Sequence, residues 1–221
     1  MDSANWVARI ASIVIALALP VILIATPLYL FISPGFVRYE YARPSFPPSI
    51  RFSDAERLRI SDTMIGYLRG WNSAQEMATV ATDSGEQAMR ADESQHIIDV
   101  KVVTDGFFVA HAIALVASVL AAIALVARRE TSLIASGLAY GFWITCGLIV
   151  FVLLAAIIDF NTFFMQFHRI FFTEGSWLFY EEDTLIQLYP LPFWSDTVIK
   201  LGIVIVAEAC LVWIVQRLTS R

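Results

Sequence analysis

The chain has 221 residues, of which 58% are hydrophobic and only 16% are charged. Its mean hydropathy of +0.68 lies far from that of an ordinary globular domain. The net charge of −5 argues against a nucleic-acid-binding protein and leaves no polybasic patch for anionic lipids. Composition and length therefore indicate one integral membrane unit, and we treat residues 1–221 as a single four-span membrane domain.

Four apolar runs are each long enough to cross about 30 Å of hydrocarbon at roughly 1.5 Å per residue. They occupy residues 7–32, 107–126, 133–158 and 198–215. The first run is too long for a cleaved signal peptide and is interrupted by Pro20, so we expect it to stay in the protein as the first span.

Positively charged residues near the ends of the spans predict the orientation. Lys and Arg close to a span favour the cytoplasmic side of a membrane. One side of the predicted bundle carries Arg9, Arg128, Arg129, Arg217 and Arg221. We therefore expect both termini to be cytoplasmic and the loops 34–106 and 159–197 to form a small cap on the outer face.

The first loop begins with the proline-rich run YEYARPSFPPS, which favours an extended stretch. Ser53, with Glu56 three residues later, predicts a capping box at the start of a helix that ends before Gly70. A second helix is predicted over residues 92–104, with a break at Asp105 and Gly106.

Three polar residues lie on one side of this second helix. Glu93, His96 and Asp99 are spaced three apart, which places their side chains on one helix face. An imidazole between two carboxylates could be held in one tautomer, and it could then exchange a proton near neutral pH.

The second loop is exceptionally aromatic. Twelve of the 36 residues from 159 to 194 are aromatic, and aromatic side chains collect at the headgroup level of a bilayer. Aromatic residues at 160, 163, 164, 167 and 171 have the spacing of an interfacial helix, and His168 lies among them. Segments 177–179 and 185–189, separated by an acidic turn, predict a small hairpin.

The chain has no phosphate-binding glycine loop, no GxSxG elbow and no HExxH motif. His96 and His168 remain as candidates for general acid and base catalysis without a cofactor or metal. Structural hydrogen bonding by both histidines stays an alternative. A metal site formed by His96, Asp99 and His168 is a weaker one, because their spacing matches no zinc pattern.

Polar groups also occur inside the predicted spans. His111 and Glu208 lie in the second and fourth spans, and we interpret them as structural, with His111 packed or hydrogen-bonded and Glu208 protonated or hydrogen-bonded between helices. Gly137 and Gly141 form a GxxxG pattern, which is typical of close helix packing in membranes.

Three segments of the loops resemble the signature segments of the bacterial lipoprotein intramolecular transacylases (Lit-type). They are DESQHIIDVK, QFHRIFFTEGSWLF and DTLIQLYPLPFW. The resemblance implies an all-α membrane protein of the bacterial cytoplasmic membrane, with four transmembrane helices, a small extracytoplasmic cap and its active site on the outer face. It implies an enzyme that moves an acyl chain within a diacylated lipoprotein, from the glyceryl 2-position to the amino group of the N-terminal cysteine. The product is a lyso-form lipoprotein, and the expected partners are diacylated lipoproteins and membrane lipid.

The resemblance also implies that His96 and His168 are the functional histidines, with Glu93 and Asp99 as orienting neighbours. We expect the imidazoles to converge, with His96 as the base and His168 assisting the leaving oxygen or the oxyanion. Acyl chains and substrate would contact the aromatic side chains of Phe163, Phe164, Phe167, Phe171 and Trp177. Rival functions are a non-enzymatic assembly factor or transporter subunit, and a metal-dependent membrane hydrolase.

Overall fold

The computed structural model describes residues 3–219. The regular elements of this part of the chain are all helices. The helices are α1 Ser3–Ala25, α2 Leu28–Phe31, α3 Pro34–Tyr41, α4 Asp54–Leu68, α5 Ala74–Ala78, α6 Ala91–Ala127, α7 Ser132–Ile158, α8 Phe160–Phe171, α9 Thr184–Leu188 and α10 Leu191–Thr219. Four of the helical stretches are long and apolar enough to cross a membrane. The predicted all-α, four-span, multi-pass membrane protein is confirmed.

The described chain divides into two compact units. The span unit consists of residues 3–28, 107–155 and 200–219, and the loop unit consists of residues 29–106 and 156–199. Both predicted loops, 34–106 and 159–197, therefore belong to the same unit, although the second and third spans separate them in sequence.

Within the span unit, the GxxxG glycines of α7 face α1. A Cβ atom on Gly137 would lie 2.7 Å from the backbone oxygen of Ser12, and one on Gly141 would lie 2.8 Å from Leu19 Cβ. Neither position has room for a side chain, so the predicted close packing is confirmed.

The polar groups of the span unit differ in their surroundings. His111 Nε2 lies 3.1 Å from Thr26 Oγ1, and the Thr26 hydroxyl donates to the Ile22 carbonyl, so the imidazole donates to the threonine. The interpretation of His111 as a hydrogen-bonding residue is confirmed. Glu208 Oε2 is buried and has no hydrogen-bond partner within the described chain.

In the loop unit, α4 starts where the sequence predicts, but with half of the predicted capping box. Ser53 Oγ accepts a hydrogen bond from the Glu56 N–H at 3.2 Å. The Glu56 carboxylate accepts instead from the Asp83 N–H at 2.7 Å. The second hydrogen bond of a capping box, from the Ser53 N–H to Glu56, is therefore not formed. A complete capping box forms at Ser73 and Glu76, where α5 begins.

The break predicted at Asp105 and Gly106 is wrong, since α6 runs without interruption from Ala91 to Ala127. Lys101 Nζ pairs with Asp105 at 3.0 Å across one helical turn, which supports the helix at this point. One glycine costs a helix only about 1 kcal/mol, and the long apolar helix that follows outweighs it.

The hairpin predicted for 177–179 and 185–189 is also wrong. Residues 184–188 form the short helix α9, in which Thr184, Leu185 and Leu188 are buried. Leu185 and Leu188 are three residues apart, which is a helical spacing, and the tertiary contacts described below hold this segment as a helix.

Candidate active site

The two loop histidines lie side by side in the loop unit. His96 is in the second turn of α6 and is 8% exposed, whereas His168 is in the last turn of α8 and is partly exposed. Their ring centroids are 6.1 Å apart and the ring planes are inclined by 26°. Two imidazoles that are 72 residues apart in sequence are thus within reach of one small reacting group.

Helix α8 forms where the spacing of its aromatic residues predicts a helix, and it carries His168 in its last turn. Asp159 caps the helix by accepting the Thr162 N–H at 3.1 Å. The aromatic residues recur with helical spacing along its 12 residues.

Aromatic rings surround both histidines. Phe164, Phe167 and Trp177 contact His168 with centroid distances of 4.1, 5.6 and 4.8 Å. Phe172 lies against both imidazoles, 4.9 Å from His96 and 5.5 Å from His168. Phe179 lies 5.6 Å from His96. The site is therefore apolar around two titratable rings.

The remaining predicted phenylalanines belong to the outer part of this aromatic group. Phe163 packs on Phe160 at 5.8 Å, and Phe171 packs on Phe167 at 4.9 Å. Phe172 and Phe179 were not predicted as site residues, although both lie in the segment QFHRIFFTEGSWLF, which carries part of the family resemblance.

The tautomer of His168 follows from one hydrogen bond. Its Nδ1 lies 2.8 Å from the backbone oxygen of Phe164. A carbonyl can only accept, so Nδ1 carries the proton and Nε2 of the neutral ring keeps its lone pair. Burial lowers the pKa of His168 below its ordinary value, against a smaller opposing effect of this hydrogen bond. The His168 ring is therefore neutral at pH 7, with its lone pair on Nε2.

His96 is the more buried of the two histidines. Its Nδ1 is buried and has no hydrogen-bond partner in the described structure. The ring contacts Phe172, Phe179 and His168.

The two carboxylates near His96 have other partners. Glu93 is completely buried, and its oxygens accept the backbone N–H groups of Leu185 and Arg90, each at 2.9 Å. Asp99 accepts a hydrogen bond from Gln95 at 3.0 Å. No hydrogen bond from either carboxylate to His96 is found among the described residues, so the geometry offers no orienting contact of the kind the sequence suggested.

A polar network, which we call the clasp, joins the start of α6 to α9. Arg90 pairs with Asp183, and Thr184 donates to the Ala88 carbonyl. The Arg51 guanidinium donates hydrogen bonds to both segments, at 2.8 Å to Thr184 Oγ1 and at 3.2 Å to the Ala88 carbonyl oxygen. With the Glu93–Leu185 bond, these contacts fix the helix that carries His96 against residues 183–185. Sequence reasoning missed the clasp because its partners are far apart along the chain.

The part of the chain that the structure describes contains no group of three His, Cys, Asp or Glu side chains placed to hold a metal ion. His96, Asp99 and His168 therefore do not form the ligand set that the sequence left open.

Comparison with known proteins agrees with the resemblance seen in the sequence. The family model for lipoprotein intramolecular transacylase Lit matches residues 11–194. An uncharacterized protein of Aquifex aeolicus (strain VF5) is 25% identical over 189 residues, covering 85% of this chain and 84% of that protein.

Solved structures of the membrane-integral lipoprotein intramolecular transacylase Lit from Bacillus cereus have the same fold. One superposes with a TM-score of 0.65 at 18% identity and covers 97% of this chain and 93% of that one. Another, with a histidine-to-alanine mutation, gives a TM-score of 0.69 at 16% identity over 96% and 93% of the two chains. With the family match extending over most of its length, the chain belongs to the lipoprotein intramolecular transacylase family and is an integral membrane enzyme of that class.

Proposed function

We propose that this enzyme transfers an acyl chain within one diacylated lipoprotein, from the glyceryl 2-position to the amino group of the N-terminal cysteine. His96 and His168 carry the proton transfers, and no cofactor takes part. The observation that carries this assignment is the pair of imidazoles 6.1 Å apart among aromatic side chains of the loop unit.

The reaction needs little from the protein besides position and proton transfer. The amine and the ester belong to the same molecule, so folding the substrate into a reactive geometry can supply about 7–11 kcal/mol of the barrier. The nitrogen lone pair attacks the ester carbonyl carbon, and the nitrogen gives up a proton. The bond between the carbonyl carbon and the glyceryl oxygen then breaks, and that oxygen takes a proton. One ester becomes one amide and one hydroxyl.

The hydrogen bonds favour His168 as the base. Its Nδ1–H is held by the Phe164 carbonyl, which leaves Nε2 free to accept the amine proton. The sequence suggested the opposite roles, with His96 as the base, oriented by Glu93 and Asp99, and His168 assisting the leaving oxygen. Glu93 instead binds the Leu185 and Arg90 amides, and its role is to position α6 and α9. Burial lowers the pKa of His96 to about 4, so a proton passed to this ring from His168 is readily given on to the glyceryl oxygen, and both imidazoles end the reaction neutral.

The aromatic residues supply the substrate surface. Phe164, Phe167 and Trp177 line His168, and Phe163 and Phe171 extend this surface outward. We assign the acyl chain to these rings, and we assign the active site to the outer face of the membrane, where exported lipoproteins and their lipid anchors lie.

The test uses purified enzyme and a synthetic lipopeptide with a diacylglyceryl cysteine. Intramolecular transfer leaves the mass unchanged, so the assay follows the loss of reactivity of the cysteine amine towards an amine-specific label. Tandem mass spectrometry then locates the acyl chain on nitrogen. We expect His96→Ala and His168→Asn to slow the reaction by about 10²–10⁴-fold each.

The matched control is the third histidine. His111→Gln keeps a donor for Thr26 and should react at the wild-type rate. Wild-type enzyme that leaves the amine free would refute the proposed function. Full activity in both His96→Ala and His168→Asn would refute the mechanism while leaving the function intact.

A further inference from the structure

Trp177 carries a buried donor that nothing in the described structure uses. Its side chain is 4% exposed, and its Nε1 is buried without a hydrogen-bond partner. Buried polar groups are almost always hydrogen-bonded, and a buried indole N–H normally finds an acceptor. An unpaired donor at this position therefore requires an explanation.

The ring of Trp177 lies against the proposed reaction centre. The Trp177 ring is 4.8 Å from the His168 imidazole, with an angle of 35° between the planes. The other rings found against the two histidines are phenylalanines, namely Phe164, Phe167, Phe172 and Phe179, which have no N–H or O–H group. The Nδ1–H of His168 is already bound to the Phe164 carbonyl. Trp177 thus adds an N–H without a partner to a group of rings in which every side chain other than the two imidazoles is apolar.

Acyl transfer develops negative charge on the carbonyl oxygen. When the amine attacks the ester carbon, the electron pair of the C=O bond moves onto oxygen, and it returns when the bond to the glyceryl oxygen breaks. A donor that is fixed in advance in a water-poor site stabilises this charge without reorganisation. Indole N–H is a donor only, so it binds the oxygen and does not compete with Nε2 of His168 for the proton.

We propose that the indole N–H of Trp177 donates a hydrogen bond to the carbonyl oxygen of the transferred acyl group and stabilises the oxyanion during transfer. This inference rests on the proposed function and assigns Trp177 a catalytic role in addition to lining the pocket. The acceptor it requires is an ester carbonyl, so the ligand that completes this hydrogen bond is the acyl ester of the substrate itself.

The sharpest test removes the N–H without changing the shape of the ring. Replacement of Trp177 by benzothienylalanine, introduced by amber suppression, puts sulfur in place of N–H in the same bicyclic side chain. We expect kcat in the lipopeptide assay to fall by about 10²–10³-fold, the effect of losing one oxyanion donor. KM should change little, and so should the thermal unfolding midpoint, because the packing surface is kept.

The control is the same replacement at Trp71, which is 63% exposed and lies over Arg69. It should leave kcat and KM at the wild-type values. Wild-type kcat with benzothienylalanine at 177, or a rise in KM alone, would overturn the assignment. Since wild-type enzyme is assayed in parallel, absence of product there would count against the proposed function and not against Trp177 separately. Trp177→Phe should match the benzothienyl variant in kcat if it folds; a Trp177→Phe enzyme with full kcat would also overturn the assignment.

Discussion

Glu93 holds the backbone of Leu185, which lies 92 residues further along the chain, through a 2.9 Å hydrogen bond. The carboxylate is completely buried, and its second oxygen binds the Arg90 N–H. A buried carboxylate that accepts hydrogen bonds from two backbone N–H groups has the polar partners that burial requires. Glu93 is therefore a scaffold residue of the loop unit, one turn away from the imidazole it was expected to orient.

Glu93→Gln should destabilise the protein. The amide has one oxygen instead of two, so one backbone N–H loses its acceptor and meets an NH₂ group. We expect a loss of about 1.5–3 kcal/mol in the free energy of unfolding, the usual contribution of a hydrogen bond to a charged group. Denaturant titration of the protein in detergent measures it. Glu174→Gln is the control, because that side chain is exposed. An unchanged unfolding midpoint with lost turnover would instead assign Glu93 a direct part in catalysis.

The titration of His168 should be displaced to acidic pH. Burial lowers its pKa in the folded protein, whereas the unfolded chain binds a proton at about pH 6.5. The folded state consequently binds fewer protons below that pH. The stability linked to His168 is complete above pH 6.5 and declines as the pH falls from 6.5 towards the lowered pKa.

Nitrogen NMR of histidine-labelled protein tests this titration directly. We expect the His168 signal, assigned with the His168→Asn variant, to report a neutral ring protonated on Nδ1 at pH 6.5. Denatured protein should titrate at about 6.5 and provides the reference. A midpoint above 6.5 in the folded protein, or a proton on Nε2, would contradict the base assignment.

The glycines of α7 offer a matched pair of substitutions. A Cβ on Gly141 would come within 2.8 Å of Leu19 Cβ and 3.0 Å of the Ala16 oxygen, whereas Gly147 has nothing within 4 Å. Gly141→Ala should destabilise the protein by about 1–3 kcal/mol, as overpacking does. Gly147→Ala should be neutral or stabilising, because alanine is the better helix former. Thermal unfolding of the two variants in the same detergent makes the comparison. Equal midpoints would argue against the close approach of α1 and α7.

The orientation of the chain in the membrane can be read by cysteine labelling. In a background that lacks Cys146 and Cys210, Ser84→Cys and Glu174→Cys probe the two loops, and Thr131→Cys probes the turn after Arg128 and Arg129. An impermeant maleimide should label the two loop positions on intact cells and Thr131→Cys only after lysis, because the arginines favour the cytoplasmic side. Labelling of Thr131→Cys from outside would reverse the assigned topology.

Local sequence signals predicted much of this protein. Hydropathy identified the four spans, since crossing a bilayer requires a long apolar helix irrespective of its neighbours. The period of the aromatic residues identified α8, and the positions of His96 and His168 in two loops identified the pair that the fold brings together.

Long-range contacts explain the errors. The sequence predicted a strand in the segment that forms α9, which the contacts of the clasp hold as a helix. It also predicted that Glu93 orients the His96 imidazole, but the Glu93 carboxylate binds the Leu185 N–H. Arg51 reaches Thr184 across 133 residues, a separation that no window of local sequence covers. The same holds for Phe172 and Phe179, whose contacts with His96 join segments more than 70 residues apart.

The contacts of the clasp can form only late in translation, because one of its two partners lies near the C-terminal end of the loop unit. A ribosome makes His96 and α6 long before Leu185, and the carboxylate of Glu93 lacks its distant amide until then. A nascent chain that ends after the third span contains His96 and His111 but not His168, so its site is incomplete. We therefore expect acyl transfer to begin only after the segment preceding α10 has been translated and has packed against the start of α6.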